Sequence, residues 1–452
     1  MVLQKQMNNF LRRIELFNTI RLGGFNMSLL VEMFRNQVKK EKDIRKKSEA
    51  AASVGYSTGF HTVDMTNAYI VHVRNKEKDL DYNYISAGIP DGSMVQLIGR
   101  SQSGKSTFAT QIAANICRPF KTSCIFEDTI ERGMTWPRRI QLTGWSEEEI
   151  RTRIIPRDKG ITIENFYERI KDIYDIKMAN PDKFMYDTGL LDNFGEPIQL
   201  FEPTVYILDS LPMLMPEKYA ADSTSKDAEE LPGPMSTTAG AKAVTQTMRS
   251  IIPMLTSANI ILLVINHILP NVQTGIVHKQ SQLPWLSPDE RLPKGETNVL
   301  LANCIIRFKD HDNMSGDDKY KEAGKLVDIY FEKSRSGIPH RKQTLVYTFD
   351  HGYDNLLSLL YFLQQTDRIN GAGVGLYLDD RSDLKFSMGT FKKKFNENPE
   401  FQDLFLKVAF EELSKIPKMA KESVTQNSEF NDKLNQLCMN YRPSAEANGV
   451  DI

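Results

Sequence analysis

From Tyr56 to about Asp350, short β-branched apolar runs alternate with segments of helical spacing, the pattern of βαβ units wound around a mainly parallel sheet. The predicted strands are Met94–Ile98, Ser123–Phe126, Thr204–Leu208, Ile260–Ile265, Cys304–Phe308, Val327–Phe331 and Thr344–Phe349. Thr204–Leu208 is apolar or β-branched throughout, as a strand buried on both faces requires. A helix over Thr107–Cys117 follows the first strand. Two long stretches rich in Pro, Gly, Ser and Thr, residues 216–241 and 269–299, interrupt this body. Interruptions of that length inside a compact domain carry function or stay unstructured. Beyond Asp350, a Leu-rich helical start at Leu356–Gln365, a turn at Gly371–Gly375 and a Lys/Phe-rich tail predict a separate small α/β or helical domain over 351–452.

Residues 1–55 hold 11 Lys/Arg against 5 Asp/Glu, punctuated by Leu, Ile, Phe and Met. Two readings fit this basic arm. It is a solvated helix, or an amphipathic one, with Leu29, Leu30, Met33 and Phe34 on one side, that docks on a neighbouring subunit. Val38–Lys47 is almost wholly charged and Ser48–Gly55 is small, so the stretch reads as a linker into the body.

Composition narrows the class without naming a partner. The chain has 452 residues, 40% apolar and 25% charged, with a formal net charge of -1, which excludes disordered and collagen-like classes and predicts two or three domains. Partners respond to local patches, so the near-zero total is silent on nucleic acid. The four cysteines, Cys117, Cys124, Cys304 and Cys438, form no CxxC pair, which argues against a disulfide framework or a Cys-rich zinc site and fits a reducing cytoplasm. No apolar run reaches the ~18–20 residues of a membrane span.

The sharpest motif is Gly99-Arg100-Ser101-Gln102-Ser103-Gly104-Lys105-Ser106, which fits GxxxxGK[ST], directly follows an apolar strand and runs through Thr107 into a helix. Backbone N–H groups of such a loop, with the positive end of the helix, cradle a polyphosphate. Lys105 neutralises the β- and γ-phosphates and the Ser106 hydroxyl ligates Mg²⁺. A carboxylate must hold the metal from the other side, and Asp209, ending the strand Thr204–Leu208, stands where α/β folds bind ligands. A hydrolase also needs a carboxylate for the attacking water. Glu127, Asp128 and Glu131 all follow the strand Ser123–Phe126, and spacing does not choose among them. Asn266-His267, after Ile260–Ile265, is placed to sense a γ-phosphate, although a lone histidine is more often a satisfied core residue.

In this order the motifs resemble the RecA family of strand-exchange recombinases, in particular its bacteriophage, UvsX-like branch. The resemblance is colinear from about Tyr56 to Lys415. Tyr56-Ser-Thr-Gly-Phe-His-Thr-Val-Asp64 is similar to the first strand of the family's core, and Gly99–Ser106 to its phosphate loop. Phe126-Glu-Asp-Thr-Ile-Glu131-Arg-Gly-Met-Thr, followed by Leu142-Thr-Gly144, resembles the segment with the catalytic glutamate. It implies that role for Glu131, with Asp128 as the strand-end aspartate. Asp209-Ser210 is similar to the Walker B pair, and Val264-Ile-Asn266-His267 to the γ-phosphate sensor.

The resemblance implies a RecA-like P-loop ATPase core over 56–350, flanked by the N-terminal helical arm and a C-terminal DNA-gating domain. It implies ATP and Mg²⁺ as cofactors, and Lys333 and Arg335 of Glu332-Lys333-Ser334-Arg335 as cations reaching the neighbouring subunit's nucleotide. By position, 216–241 and 269–299 match two DNA-binding loops, with Lys242, Arg249 and Asn298 as contacts. The relatives' adenine-stacking tyrosine falls near Arg139, so Trp136 or the Arg139 plane replaces it. The implied partners are single-stranded DNA, a homologous duplex, further copies in a helical filament, and single-strand-binding and loader proteins, without a membrane. The first loop departs from this picture: Glu217, Asp222, Asp227, Glu229 and Glu230 outnumber Lys218 and Lys226, a poor composition for phosphate neutralisation. A filament-forming scaffold ATPase without DNA is therefore a second reading. A ring-forming helicase is a third, for which too little chain precedes the phosphate loop.

Overall fold

The computed structural model describes residues 53–130, 133–218, 234–271, 283–293, 297–311 and 324–417. Its centre is a nine-stranded sheet. In chain order the strands are β1 (Met94–Gly99), β2 (Ile125–Thr129), β3 (Ile154–Arg157), β4 (Thr204–Asp209), β5 (Ile260–His267), β6 (Cys304–Asp310), β7 (Gly324–Ser334), β8 (Arg341–Thr348) and β9 (Gly352–Asp354). Across the sheet they run β9-β8-β7-β6-β1-β5-β4-β2-β3. The stretch from β6 to β3 is parallel, and β7, β8 and β9 add an antiparallel edge.

Both faces of the parallel part are covered, which explains its unbroken apolar strands. Val95 and Leu97 of β1, with Ile261, Leu263 and Ile265 of β5, enter one core with helix α1 (Lys105–Cys117). Met94 and Ile98, with Ile260, Leu262 and Val264, enter the opposite core. There they meet Phe166, Ile170 and Ile173 of α3 (Ile163–Ala179) and Val244, Met248, Ile251 and Leu255 of α4 (Pro234–Ala258). The helix between, α2 (Trp136–Thr143), ends at Gly144 with φ +63°, a left-handed stop suited to glycine.

A third core belongs to the C-terminal part. Helix α5 (Asn355–Gln365), a small hairpin of Ile369–Asn370 with Tyr377–Leu378, α6 (Phe391–Glu397) and α7 (Pro399–Leu413) enclose Phe386, Phe391, Phe395, Phe401 and Phe405. The expected turn at Gly371–Gly375 is the tip of that hairpin.

Several expected boundaries move. Gly352–Asp354 pairs with β8, so the central sheet extends past 350 before the small domain begins. Ser53 and Val54 already bond to Asp91, and Gly55 pairs with Pro90, so the body starts inside the expected 1–55 arm; residues 1–52 lie outside the described residues. Helix α4 starts at Pro234, within the expected 216–241 loop. The second interruption opens and closes on a hairpin of Leu269–Pro270 with Glu290–Arg291, and Thr297–Leu301 is helical. The strand expected at Ser123–Phe126 runs instead over Ile125–Thr129.

Among the described residues no helix is long and apolar enough to cross a membrane. Cys117, Cys124 and Cys304 are free thiols.

Candidate functional site

The phosphate loop stands at the carboxyl end of β1, where Gly99 hands the chain to residues 100–104 and α1 begins at Lys105. Gly104 has φ +87°, and a Cβ there would lie 2.4 Å from the Tyr353 hydroxyl, so glycine is required twice over. Lys105 is buried and folds back on its own loop: Nζ donates to the carbonyls of Gly99 (3.1 Å) and Arg100 (2.6 Å) and to Ser103 Oγ (3.2 Å). Arg100, Ser101 and Gln102 form the exposed tip. Thr107 is buried in the first turn of α1.

Asp209, the last residue of β4, accepts a 2.6 Å hydrogen bond from Ser106 Oγ on Oδ2. Strand β5 lies between β1 and β4, with His267 paired in register to Gly99 and Ile265 to Asp209. Loop, hydroxyl, carboxylate and imidazole therefore share one edge of the sheet, the edge where parallel α/β sheets bind ligands. Chemically the arrangement can bind an oxyanion on the loop N–H groups and Lys105, and a divalent cation between Ser106 and Asp209.

The hydrolytic carboxylate divides differently. Glu131 lies outside the described residues. Glu127 and Asp128 are inside β2 rather than after it, and both are buried. Glu127 Oε2 accepts from Arg139 Nη2 at 2.9 Å and Nε at 3.2 Å. Asp128, expected as the strand-end aspartate, is the next-to-last residue of β2. It accepts from Arg157 (Nε, 3.0 Å), Arg169 and the Tyr206 hydroxyl, a closed network tying β2 to β3, β4 and α3. Burial, then the Asp128 charge, push the Tyr206 phenol well above its usual value, so it stays a donor.

Arg139 offers no exposed plane for a base, because it is buried, with its guanidinium paired to Glu127 and 5.3 Å from the Trp136 ring centroid. Trp136 itself is 40% exposed. Sequence reading missed three nearby residues. Phe349 is 58% exposed just past β8, and Arg138 Nη1 donates to the carbonyls of Phe349 (2.9 Å) and Asp350 (2.7 Å). Tyr353, buried on β9, donates to the Ser103 carbonyl at 3.3 Å. Phe349 was legible as an aromatic breaking the alternation at a strand end. Tyr353 had no local signal, since it reaches the loop only through the sheet.

Lys333 and Arg335 lie at the other end of the strands. Lys333 pairs with Ile305, and Ile305 with Gln96, three residues before Gly99. That is ~10 Å back along the strand and two strand spacings aside. Lys333 Nζ donates to the carbonyls of Val299 and Leu300, both at 2.8 Å, and Arg335 Nη2 to Leu300 at 2.8 Å. Burial, with Arg335 beside it, pulls the Lys333 ammonium down to about 8. Lys242 and Arg249 are exposed on one face of α4, seven residues apart and opposite its buried apolar stripe. Asn298 is buried, its carbonyl accepting from Gln96 Nε2 at 2.8 Å, so it offers a nucleic acid no exposed surface here.

No family model matches the chain, and no curated protein matches it.

Proposed function

We propose that this chain is an ATP-hydrolysing recombinase of the RecA type, which polymerises on single-stranded DNA, pairs it with a homologous duplex, and uses ATP turnover to reset the filament. The observation that carries the reading is the 2.6 Å contact between Ser106 and Asp209 beside a phosphate loop, with His267 on the strand between them. ATP and Mg²⁺ suit that donor set: Lys105, bonded to loop carbonyls here, would serve the phosphates, Ser106 and Asp209 would hold the metal, and Glu131 would orient water. Lys333 and Arg335 are too far back along the sheet to serve their own phosphate loop, which favours a role at the loop of a neighbouring copy. Lys242 and Arg249 supply phosphate-backbone contacts, and base pairing supplies sequence specificity.

The test is steady-state ATPase of the purified chain with and without homopolymeric single-stranded DNA at two salt concentrations. Stimulation that weakens as salt rises supports the reading. Turnover that depends on protein concentration and ignores DNA supports the scaffold reading, which the acidic 217–230 stretch favours.

A further inference from the structure

Four charged side chains form a line from the phosphate loop to the far end of β7. Arg100, 77% exposed at the loop tip, brings Nη2 to 3.9 Å from Glu290 Oε1. Glu290 is buried; its Oε2 accepts from Arg307 Nη2 at 2.6 Å and from the Ser287 N–H at 3.2 Å. Arg307 also faces Glu332 at 3.8 Å, and Glu332 immediately precedes Lys333. Each member stands on a different piece of chain. Arg100 is in the loop, Glu290 is in the strand closing the second interruption, Arg307 is in β6 beside Ile98 of β1, and Glu332 is in β7.

Exposure singles out Arg100. The buried Glu290 and the half-buried Glu332 share one buried guanidinium, and Arg307 Nε finds no acceptor among the described residues, while Lys309 and His340 also act on Glu332. Burial pushes the Glu332 carboxyl up, and Arg307 opposes that shift. Arg100 supplies the outer counter-charge through a long, exposed contact that costs little to break. A polyphosphate on the loop is a stronger partner for Arg100 than a carboxylate already shared with Arg307.

We propose that Glu290 is a positioning residue that reports phosphate-loop occupancy: a bound polyphosphate draws Arg100 away, and Glu290 and Arg307 pass the change to the paired strands 269–270 and 290–291 and to the Lys333 end of β7. The proposal rests on the nucleotide-binding reading of the loop. Glu290 is well placed to act on the hairpin, because its own residue pairs with Pro270 and the Asn271 N–H donates to Asp289 at 2.7 Å. The hairpin in turn directly follows His267.

The test is backbone hydrogen exchange at residues 269–271 and 289–291 in the full chain, with and without a saturating non-hydrolysable ATP analogue and Mg²⁺, beside a direct measurement of analogue binding. In the wild type the analogue changes exchange in these segments by about 5-fold or more. Arg100→Ala, at an exposed position that spares the buried pair, loses most of that change when compared at an analogue concentration that its own directly measured affinity shows to be saturating. Glu290→Gln loses it too, and Glu290→Asp recovers part. An Arg100→Ala chain that binds the analogue and keeps the full wild-type response overturns the relay and leaves the nucleotide reading intact. A wild-type chain that binds no analogue overturns both.

Discussion

At the carboxyl ends of the parallel strands Lys105, Ser103, Ser106 and Asp209 are bonded to one another and to the loop's own carbonyls. At the amino ends, among the described residues, Lys333 and Arg335 bond main-chain carbonyls alone and no carboxylate lies within 4.0 Å of either. One end is a loop closed on itself by internal bonds, which on the proposed reading give way to phosphate and metal. The other presents two cations for which the described residues supply no counter-charge. On the proposed reading, these opposite ends suit head-to-tail stacking of copies, with each nucleotide completed by the next subunit.

The comparison is broken most severely at Lys105. Lys105→Ala removes the cradle's one buried cation, and nucleotide affinity is expected to fall at least about 100-fold, measured by titration with a fluorescent ATP analogue. The fold should hold, because the Gly99 carbonyl keeps the Ile268 N–H as donor at 3.0 Å and Arg100 lies at the exposed loop tip. Unchanged binding and turnover would dissolve the distinction between the two ends.

The cradle was legible in sequence because its signals are local. GxxxxGKS after an apolar strand and an aspartate ending another are short-range patterns, and six of the seven expected strands fall largely within the central sheet, the seventh, Ser123–Phe126, overlapping its strand by half. The antiparallel edge was not legible. Its strand direction depends on Cys304 pairing with Ser334, a contact that no local period encodes. Glu127 and Asp128 read as loop carboxylates because charged residues rarely sit inside a strand. Arg139, Arg157 and Arg169, all distant in sequence, are what permit it. Hairpins Tyr69–Asn75 with Leu80–Ser86 and Met185–Leu191 with Pro197–Phe201 were missed, their alternation diluted by outward Tyr, Asn and Asp. Helix α3 also went unassigned, since its apolar stripe of Phe166, Ile170 and Ile173 is narrow.

The second prediction sharpens the comparison by recombining the ends. Lys333→Ala should keep nucleotide binding near the wild-type level and lower turnover by about 10³. Mixing it with Lys105→Ala, itself inactive, should restore activity, because an intact loop from one chain then meets an intact Lys333 from the other. Absence of restoration, with both variants folded, would place Lys333 in cis or outside the reaction. The same lysine sets a pH dependence. Its ammonium, held down to about 8, loses its proton as pH rises through that value, so turnover should fall on the alkaline side. Lys333→Arg should carry activity to higher pH, because a guanidinium stays charged.

The smallest effect is expected at the support beneath the cradle. The Tyr353 ring packs against Tyr347, Phe108 and Phe60 at centroid distances of 5.0, 5.4 and 6.0 Å, and burial keeps its phenol protonated as a donor to the Ser103 carbonyl. Tyr353→Phe leaves that packing and removes one neutral hydrogen bond of 3.3 Å, worth about 1 kcal/mol. Nucleotide affinity should therefore drop only a few-fold (about 5-fold for 1 kcal/mol), with turnover at saturation unchanged and a slightly lower Tm. A loss of kcat would mean that the hydroxyl acts on the chemistry instead of on the loop. No change in either affinity or Tm would mean that the loop's shape rests on the bonds of Lys105 and the left-handed turn at Gly104. The carboxyl end would then hold its geometry without help from the antiparallel edge.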